Sequence, residues 1–144
     1  MHSTDAQKLE NQLCFPLYAA ARKVVSQYTP HLKKLGITYT QYIVFLVLWA
    51  QDCIAVGELC KKLYLDSGTL TPLLKKMEDL GFVRRTRSSE DERVVIVRLT
   101  EKGAALCSEA KEIPHEVGKC LRLSPEDAGT LYRLLYQVLA DLEA

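Results

Sequence analysis

The sequence lacks any apolar run approaching the roughly 18 uninterrupted residues that a membrane-spanning helix needs. Its first residues, MHSTDAQKLENQ, also lack the basic segment and apolar block of a secretory signal. These absences predict a cytoplasmic protein that makes no contact with a membrane. Internal repeats and low-complexity segments are missing too, so the 144 residues are expected to form one domain.

The cysteines do not form the pattern of a disulfide framework or a metal site. There are five of them, at positions 14, 53, 60, 107 and 120, an odd number at irregular intervals. No CxxC pair occurs, and the three histidines do not cluster with the cysteines in sequence. We therefore expect neither a metal ion nor a cofactor.

Charge is nearly balanced over the whole chain but not along it. The net charge is +1, yet residues 61–98 carry nine Lys/Arg against six Asp/Glu, whereas residues 99–144 carry five against eight. A local basic stretch in a nearly neutral chain fits a protein that binds DNA with one part and does something else with the rest.

Helical periodicity dominates the chain outside this basic stretch. A first helix is expected from about residue 5 to Tyr28, with a break near Pro16 and an end at Thr29–Pro30. The next helix should start near Thr38 or Thr40. Its sequence, TQYIVFLVLWAQD, is apolar nearly all round, so this helix should be central and buried.

The last helix, begun by Ser124 and Pro125, carries an apolar seam long enough to pair with another helix. The seam consists of Leu131, Leu134, Leu135, Val138 and Leu142.

The basic middle of the chain has the element order of a winged helix-turn-helix. VGELCKKLY predicts a short amphipathic helix, and TLTPLLKKMEDLG predicts a second one with Ser67 or Thr69 as N-cap and Gly81 as C-terminal cap. FVRRTR and RVVIVRL then alternate at period two around SSEDE, which indicates a β-hairpin. The expected fold is therefore mostly α with a small β-hairpin.

This arrangement suits duplex DNA, because a helix fits the major groove and a hairpin can reach the backbone or the minor groove. Any one of the basic residues alone is typical of a solvated surface, but their ordered placement on helix and hairpin indicates DNA binding. The candidate contacts are Ser67, Thr69, Thr71, Lys75 and Lys76 on the second helix and Arg84, Arg85, Arg87 and Arg93 in the hairpin.

Cys14 lies two residues before Pro16, and proline is tolerated in the first turn of a helix. The thiol is therefore expected at or near a helix N-terminus, where unpaired N–H groups and the helix dipole stabilise a thiolate. Taken alone, however, the stretch favours a small buried hydrophobic residue, because free cysteine is often buried.

The motifs NQLCFPLY, GITYTQY, LYLDSGTLTPLLKKME and SSEDERVVIVRLTEKG cover nearly all of residues 9–105. Together they resemble the MarR family of winged-helix regulators, and closely the organic hydroperoxide resistance regulators within it. LDSGTLTPLL joined to a DER-type hairpin is specific for the family, and NQLCF is specific for its peroxide-sensing branch.

The resemblance implies an intertwined homodimer on a pseudo-palindromic, double-stranded DNA operator, repressing a gene until an organic hydroperoxide arrives. The whole chain, 1–144, would be one MarR-type domain. About 1–35 and 101–144 would be dimerisation helices, and about 40–100 would be the DNA-binding lobe. Residues Ser67 to Lys76, Pro72 among them, fall on the recognition helix, while Asp91 and Arg93 fall on the acid–arginine pattern of the wing.

By the same resemblance, Cys14 falls on the sensor cysteine, and Tyr28 and Tyr39 fall on two tyrosines of the partner subunit that hydrogen-bond its sulfur. Such donors are needed, because lowering a thiol pKa raises the thiolate fraction but lowers nucleophilicity, so the net gain is only a few-fold. An apolar wall favouring alkyl hydroperoxides would come from Phe15, Leu17 and Tyr18.

The resemblance leaves two fates for the oxidised sensor, because one branch is capped by small thiols and another uses a resolving cysteine of the partner chain. Cys120 lies about where the second branch keeps its resolver, so we hypothesise an intersubunit Cys14–Cys120 disulfide. The other three cysteines are expected to be structural.

Two other functions stay open on the sequence. The regulator could be released by a small aromatic acid or another ligand, with Cys14 incidental. A thiol peroxidase is the weaker alternative, because no CxxC or peroxidase-type motif supports turnover, and we expect no enzyme activity.

Overall fold

The computed structural model describes residues 4–143, which divide between Ile113 and Pro114 into two compact units. No helix in this described part is long and apolar enough to cross a membrane. After two 3₁₀ turns, Asp5–Gln7 and Leu9–Asn11, the elements are α1 (Cys14–Lys34), α2 (Tyr39–Ala50), β1 (Ile54–Ala55), α3 (Val56–Leu63), α4 (Ser67–Asp79), β2 (Val83–Arg87), β3 (Val95–Leu99), α5 (Glu101–Glu109), α6 (Ile113–Gly118) and α7 (Pro125–Glu143).

The N-terminal region differs from the sequence-based expectation in two places. The segment predicted as helix over 5–12 forms only the two 3₁₀ turns, and α1 then runs past Thr29–Pro30 to Lys34. Pro16 causes no break because it is the third residue of α1, where backbone N–H groups lack helical partners.

Pro30 stays inside α1 because tertiary packing offsets its cost. A proline in a helix interior costs about 3 kcal/mol, through a lost hydrogen bond and a steric clash. Two residues later Leu32 is only 1% exposed, and burying a leucine side chain contributes roughly 1.5–3 kcal/mol. The carbonyl of Leu32 also accepts the N–H groups of Leu35 and Ile37, which closes the helix end.

α2 begins and packs as the sequence predicted. Thr38 is its N-cap, where Oγ1 accepts the Gln41 N–H at 3.3 Å, and the Gln41 side chain accepts the Thr38 N–H at 3.0 Å. This reciprocal pair is a capping box. Phe45 and Leu48 of α2 are almost completely buried, so the helix is central to the first unit.

The winged helix-turn-helix expected from the sequence is confirmed, with one strand more than the predicted hairpin. The antiparallel sheet has the order β1-β3-β2, in which Ile54 pairs with Val97 and Arg85 lies opposite Val97 on the other side. β1 has two residues, too few for period-two alternation to reveal it. The core beneath the sheet contains Leu59 of α3, Leu70, Leu74 and Met77 of α4, and Val97 of β3.

The second unit begins at Pro114 and contains α7. Ser124 caps it, since its Oγ accepts the Asp127 N–H at 3.0 Å, and Pro125 is its first residue. Both features were predicted. Most of the large apolar side chains of α7 are exposed: Leu131, Tyr132, Leu134, Tyr136, Val138 and Leu142.

Candidate nucleic-acid interface and redox site

α4, the recognition helix, has Asp66 as its N-cap, which differs from the sequence-based prediction. Asp66 Oδ1 accepts the Thr69 N–H at 2.7 Å, so the expectation that Ser67 or Thr69 is the N-cap was wrong. The carboxylate satisfies an unpaired donor and also places negative charge at the positive end of the helix dipole. Pro72 is the sixth residue of the helix.

One face of α4 is buried and the opposite face is free. Leu70, Leu74 and Met77 are 0% exposed, so they anchor the helix to the core. The predicted contacts of the helix are all exposed and therefore open to a partner: Ser67, Thr69, Thr71, Pro72, Lys75 and Lys76. Their contact with DNA stays a prediction.

The wing consists of β2, β3 and the turn between them. Two arginines stabilise its tip through an ion pair and hydrogen bonds. Arg93 pairs with Asp91 through Nε and Oδ1 at 3.1 Å, and its backbone N–H donates to the same oxygen at 3.0 Å. These hydrogen bonds, the side-chain one first, hold the pKa of Asp91 below its ordinary range. Arg87 donates to the Glu92 carbonyl at 2.7 Å. The Arg93 side chain is 90% exposed and is thus presented to solvent.

Arg85, also a predicted contact, is placed differently from the other wing arginines. Its guanidinium pairs with Glu78 of α4 at 3.2 Å, and its side chain is only 24% exposed. Arg84 and Arg87 of the same strand are exposed.

Cys14 is the first residue of α1, as the proline and the apolar spacing predicted. Its side chain is exposed in the chain, so the structure does not support a buried hydrophobic role. The neighbouring apolar side chains are exposed as well: Phe15 by 42%, Leu17 by 43% and Tyr18 by 60%. The N-terminus of α1 therefore presents the thiol beside an apolar surface.

Tyr28 and Tyr39, predicted from the resemblance, lie together at the junction of α1 and α2, with ring centroids 4.9 Å apart. Tyr42 completes the cluster at 5.7 Å from Tyr28 and 6.3 Å from Tyr39. Burial, and secondarily Tyr28, raises the pKa of Tyr39 above its ordinary value of 10.0, and the same causes raise the pKa of Tyr42. Both hydroxyls therefore remain protonated hydrogen-bond donors at neutral pH.

Tyr42 was missed by the sequence analysis, although its position three residues after Tyr39 on a helix signals a shared face. Within the part of the chain that the structure describes, no hydrogen bond joins these three hydroxyls to another group. A cleft of about 550 Å³ adjoins the cluster, with Tyr39, Leu32, Ile37 and Lys33 in its lining.

Cys120 follows α6 and is exposed, and its N–H donates to the Val117 carbonyl at 2.9 Å. It belongs to the second unit, whereas Cys14 belongs to the first. All five cysteines are free thiols, and the described residues include no cluster of His, Cys, Asp or Glu that could hold a metal ion. The pairing of Cys14 with Cys120 stays a prediction.

Comparison with known proteins bears on both the wing and the thiol. A family model described as transcriptional regulator SarA/Rot matches residues 26–110. The chain is 49% identical over 138 residues to the organic hydroperoxide resistance transcriptional regulator of Bacillus subtilis (strain 168), with 96% of this chain and 94% of that protein covered.

Solved structures of transcriptional regulators also match this chain. AbfR of Staphylococcus epidermidis, in reduced form bound to DNA, matches with a TM-score of 0.77 and 35% identity over 93% of each chain. Disulfide-formed AbfR matches with a TM-score of 0.67 and 34% identity, over 94% of this chain and 93% of that one. A mutant MarR from E. coli complexed with operator DNA matches with a TM-score of 0.80 and 29% identity, over 96% and 99%. Each of these three matches covers more than nine-tenths of this chain.

Proposed function

This chain belongs to the SarA/Rot family of transcriptional regulators, among the MarR-type winged-helix proteins, and we propose that it is a repressor that organic hydroperoxides switch off through Cys14. Its DNA partner would be a double-stranded, pseudo-palindromic operator. The exposed face of α4 would enter the major groove, and the wing would follow the backbone or reach the minor groove.

A homodimer is the second part of the proposal. Monomeric soluble proteins rarely leave a large apolar patch uncovered, and one face of α7 exposes Leu134 by 45%, Val138 by 42% and Leu142 by 77%. A second copy of the chain would bury this face. Two winged-helix lobes would then meet two half-sites about one DNA turn, roughly 34–36 Å, apart.

The observation that carries the redox proposal is the combination of an exposed thiol at a helix N-terminus with a separate cluster of tyrosine side chains. The thiolate of Cys14 would attack the outer oxygen of the peroxide ROOH, breaking the O–O bond. This step gives a sulfenic acid on Cys14 and releases the alcohol ROH, once the leaving oxygen receives a proton.

Tyr28 and Tyr39 of the partner subunit would donate hydrogen bonds to the sulfur and to the departing oxygen. Such donors stabilise charge where it develops, which a lowered thiol pKa alone does not achieve. The apolar surface of Phe15, Leu17 and Tyr18 would favour an alkyl hydroperoxide over hydrogen peroxide.

Cys120 would then resolve the sulfenic acid by forming a disulfide across the dimer, with water as the leaving molecule. A disulfide requires the two Cα atoms to lie about 4.4–6.8 Å apart, so its closure would draw elements of the two chains together. Even a modest rotation of the lobes spoils the half-site spacing. AbfR, a relative at 34% identity, forms a disulfide.

A second candidate trigger is a small ligand in the cleft of about 550 Å³ beside Tyr39, with Cys14 incidental. The cleft has apolar walls from Leu32 and Ile37 and a cation, Lys33, which suits an aromatic acid.

Intact mass and a non-reducing gel after one equivalent of cumene hydroperoxide distinguish a reduced thiol, an oxidised Cys14 and a disulfide-linked dimer. We expect a covalent dimer from the wild type and none from Cys14→Ser or Cys120→Ser. Cys107→Ser, which removes another exposed thiol, is the matched control and should form the dimer normally. A Cys120→Ser protein that still forms a covalent dimer through Cys14 would refute the resolver, and an unchanged wild type would refute the sensor.

A further inference from the structure

An acidic residue near the end of the recognition helix stands where electrostatics disfavour it. Glu78 is the penultimate residue of α4, and the partial negative charge of a helix C-terminus repels a carboxylate. On the proposed function, the same helix lies against the phosphates of DNA, which add a second repulsion. A carboxylate at this position is therefore unfavourable unless another contact compensates for the repulsion.

The compensating contact is Arg85 of the wing, which meets Glu78 with both its backbone and its side chain. Glu78 Oε2 accepts the Arg85 backbone N–H at 2.8 Å. Its other oxygen, Oε1, accepts hydrogen bonds from the guanidinium of the same residue, from Nε at 3.4 Å and from Nη2 at 3.2 Å. These contacts, the backbone hydrogen bond first, hold the pKa of Glu78 below its ordinary value of 4.5.

The topology makes this contact a link between two DNA-facing elements. β2 is an edge strand, and the Arg85 N–H donates to α4 instead of to a neighbouring strand. Only residues 80–82 connect α4 to β2. A short connection with a side-chain bridge across it leaves little freedom for the angle between helix and wing.

The bridge is also shielded more than an ordinary surface ion pair. The Arg85 side chain is 24% exposed and that of Glu78 is 35% exposed, whereas Arg93 at the wing tip is 90% exposed. The Nε and Nη2 side of the Arg85 guanidinium is occupied by the Glu78 carboxylate, so only its remaining N–H groups are left for another acceptor.

We propose that Glu78 and Arg85 form a clamp that sets the angle of the wing relative to the recognition helix, so that Arg85 positions the wing and does not contact DNA. This inference rests on the proposed DNA-binding function and reassigns Arg85, which the sequence analysis had grouped with the DNA contacts.

The first test uses the sign of a charge effect. Glu78→Ala removes a negative charge close to DNA, so electrostatics alone predicts tighter binding. The clamp predicts weaker binding, by about three- to tenfold, because the wing loses its fixed angle. Glu92→Ala, which removes an exposed acid at the wing tip, is the matched control and should bind as tightly as the wild type or more tightly.

The probe is a fluorescent 30-base-pair duplex selected by the wild-type dimer from a random-sequence pool, titrated by anisotropy over a series of KCl concentrations. Arg85→Gln should weaken binding without changing the salt dependence, whereas a lost phosphate contact lowers the slope of log K against log[salt] by about 0.9 per site. Hydroxyl-radical footprinting of Glu78→Ala should show lost protection under the wing and retained protection under α4. A merely destabilised protein would lose both together.

A second measurement tests the clamp in the free protein and does not depend on DNA. The amide of Arg85 should exchange slowly with solvent in the wild type and much faster in Glu78→Ala. Lys102, which donates to the Leu80 carbonyl at 2.7 Å, still holds the α4–β2 connection, so the variant should remain folded.

Tight binding by Glu78→Ala with intact wing protection would overturn the clamp, as would a reduced salt slope for Arg85→Gln or an unprotected Arg85 amide in the wild type. A wild-type protein that selects no duplex while its Arg85 amide is protected would instead refute the proposed function and leave the clamp as a feature of the fold.

Discussion

Gly103 of α5 is the glycine at which an added methyl group should lower the stability of the fold most. A Cβ at this residue would lie 2.2 Å from the Phe82 carbonyl oxygen and 3.1 Å from Leu99 Cδ2. The first distance is more than 1 Å below the optimum of about 3.5 Å for non-bonded heavy atoms. The obstructing atom belongs to the backbone just before β2, so no side-chain rotation can relieve the clash.

The free energy of the change follows from three terms. Overpacking costs about 1–3 kcal/mol. The Phe82 carbonyl also accepts hydrogen bonds from Thr100 N at 3.0 Å and Oγ1 at 3.1 Å, so its displacement disturbs both. Each such bond contributes roughly 0.5–1.5 kcal/mol, and because the displacement weakens the two bonds without breaking them, together they add about 1 kcal/mol. Alanine recovers about 1 kcal/mol through helix propensity, so Gly103→Ala should lower the free energy of unfolding by about 2 kcal/mol.

Urea unfolding at a fixed protein concentration measures this loss, which should also lower the melting temperature by about 4–8 °C. Gly57→Ala in α3 is the matched control, because its Cβ would meet nothing within 4 Å. Helix propensity alone should leave that variant as stable as the wild type or up to about 1 kcal/mol more stable. A Gly103→Ala protein that matches the wild type would refute the close approach of α5 to the start of the wing.

Two further changes test the N-cap of α4 and the burial of Tyr39. Asp66→Ala removes the acceptor for the Thr69 N–H and should lower the free energy of unfolding by about 1 kcal/mol, while Asp66→Ser should retain most of it; thermal unfolding of both variants decides. In the folded state the pKa of Tyr39 lies above the value of 10.0 expected for the unfolded chain. Above pH 10 the unfolded chain therefore loses this proton more readily than the folded protein, so the free energy of unfolding should fall as the pH rises. Tyr39→Phe should make the fall shallower in urea unfolding between about pH 9 and pH 11, and an unchanged pH profile would contradict the assigned burial.

Local chemistry made much of this fold readable from the sequence. The capping box of Thr38, the Ser124–Pro125 start of α7 and the period change into the wing all depend on residues within a few positions of one another. The Cys14 position was predictable for the same reason, since Pro16 restricts where a helix can begin. Gly81 ends α4 as expected, with a φ of +81° that favours glycine.

The errors arose where distant residues decide the outcome. Thr29–Pro30 reads locally as a helix end, yet the burial of Leu32 carries α1 past it. β1 exists because two residues pair with β3 more than 40 positions away, which no local pattern shows. The arginines of β2 look alike in sequence, and only the packing of β2 against α4 separates Arg85 from Arg84 and Arg87.

Release of DNA is the most direct test of the redox account. Wild type and Cys14→Ser, each bound to the selected duplex, receive one equivalent of cumene hydroperoxide per protomer while anisotropy is followed. We predict that the wild type leaves the duplex and rebinds after dithiothreitol, while Cys14→Ser stays bound throughout. Equal release of both proteins would contradict Cys14 as the sensor and favour a trigger that acts elsewhere on the chain.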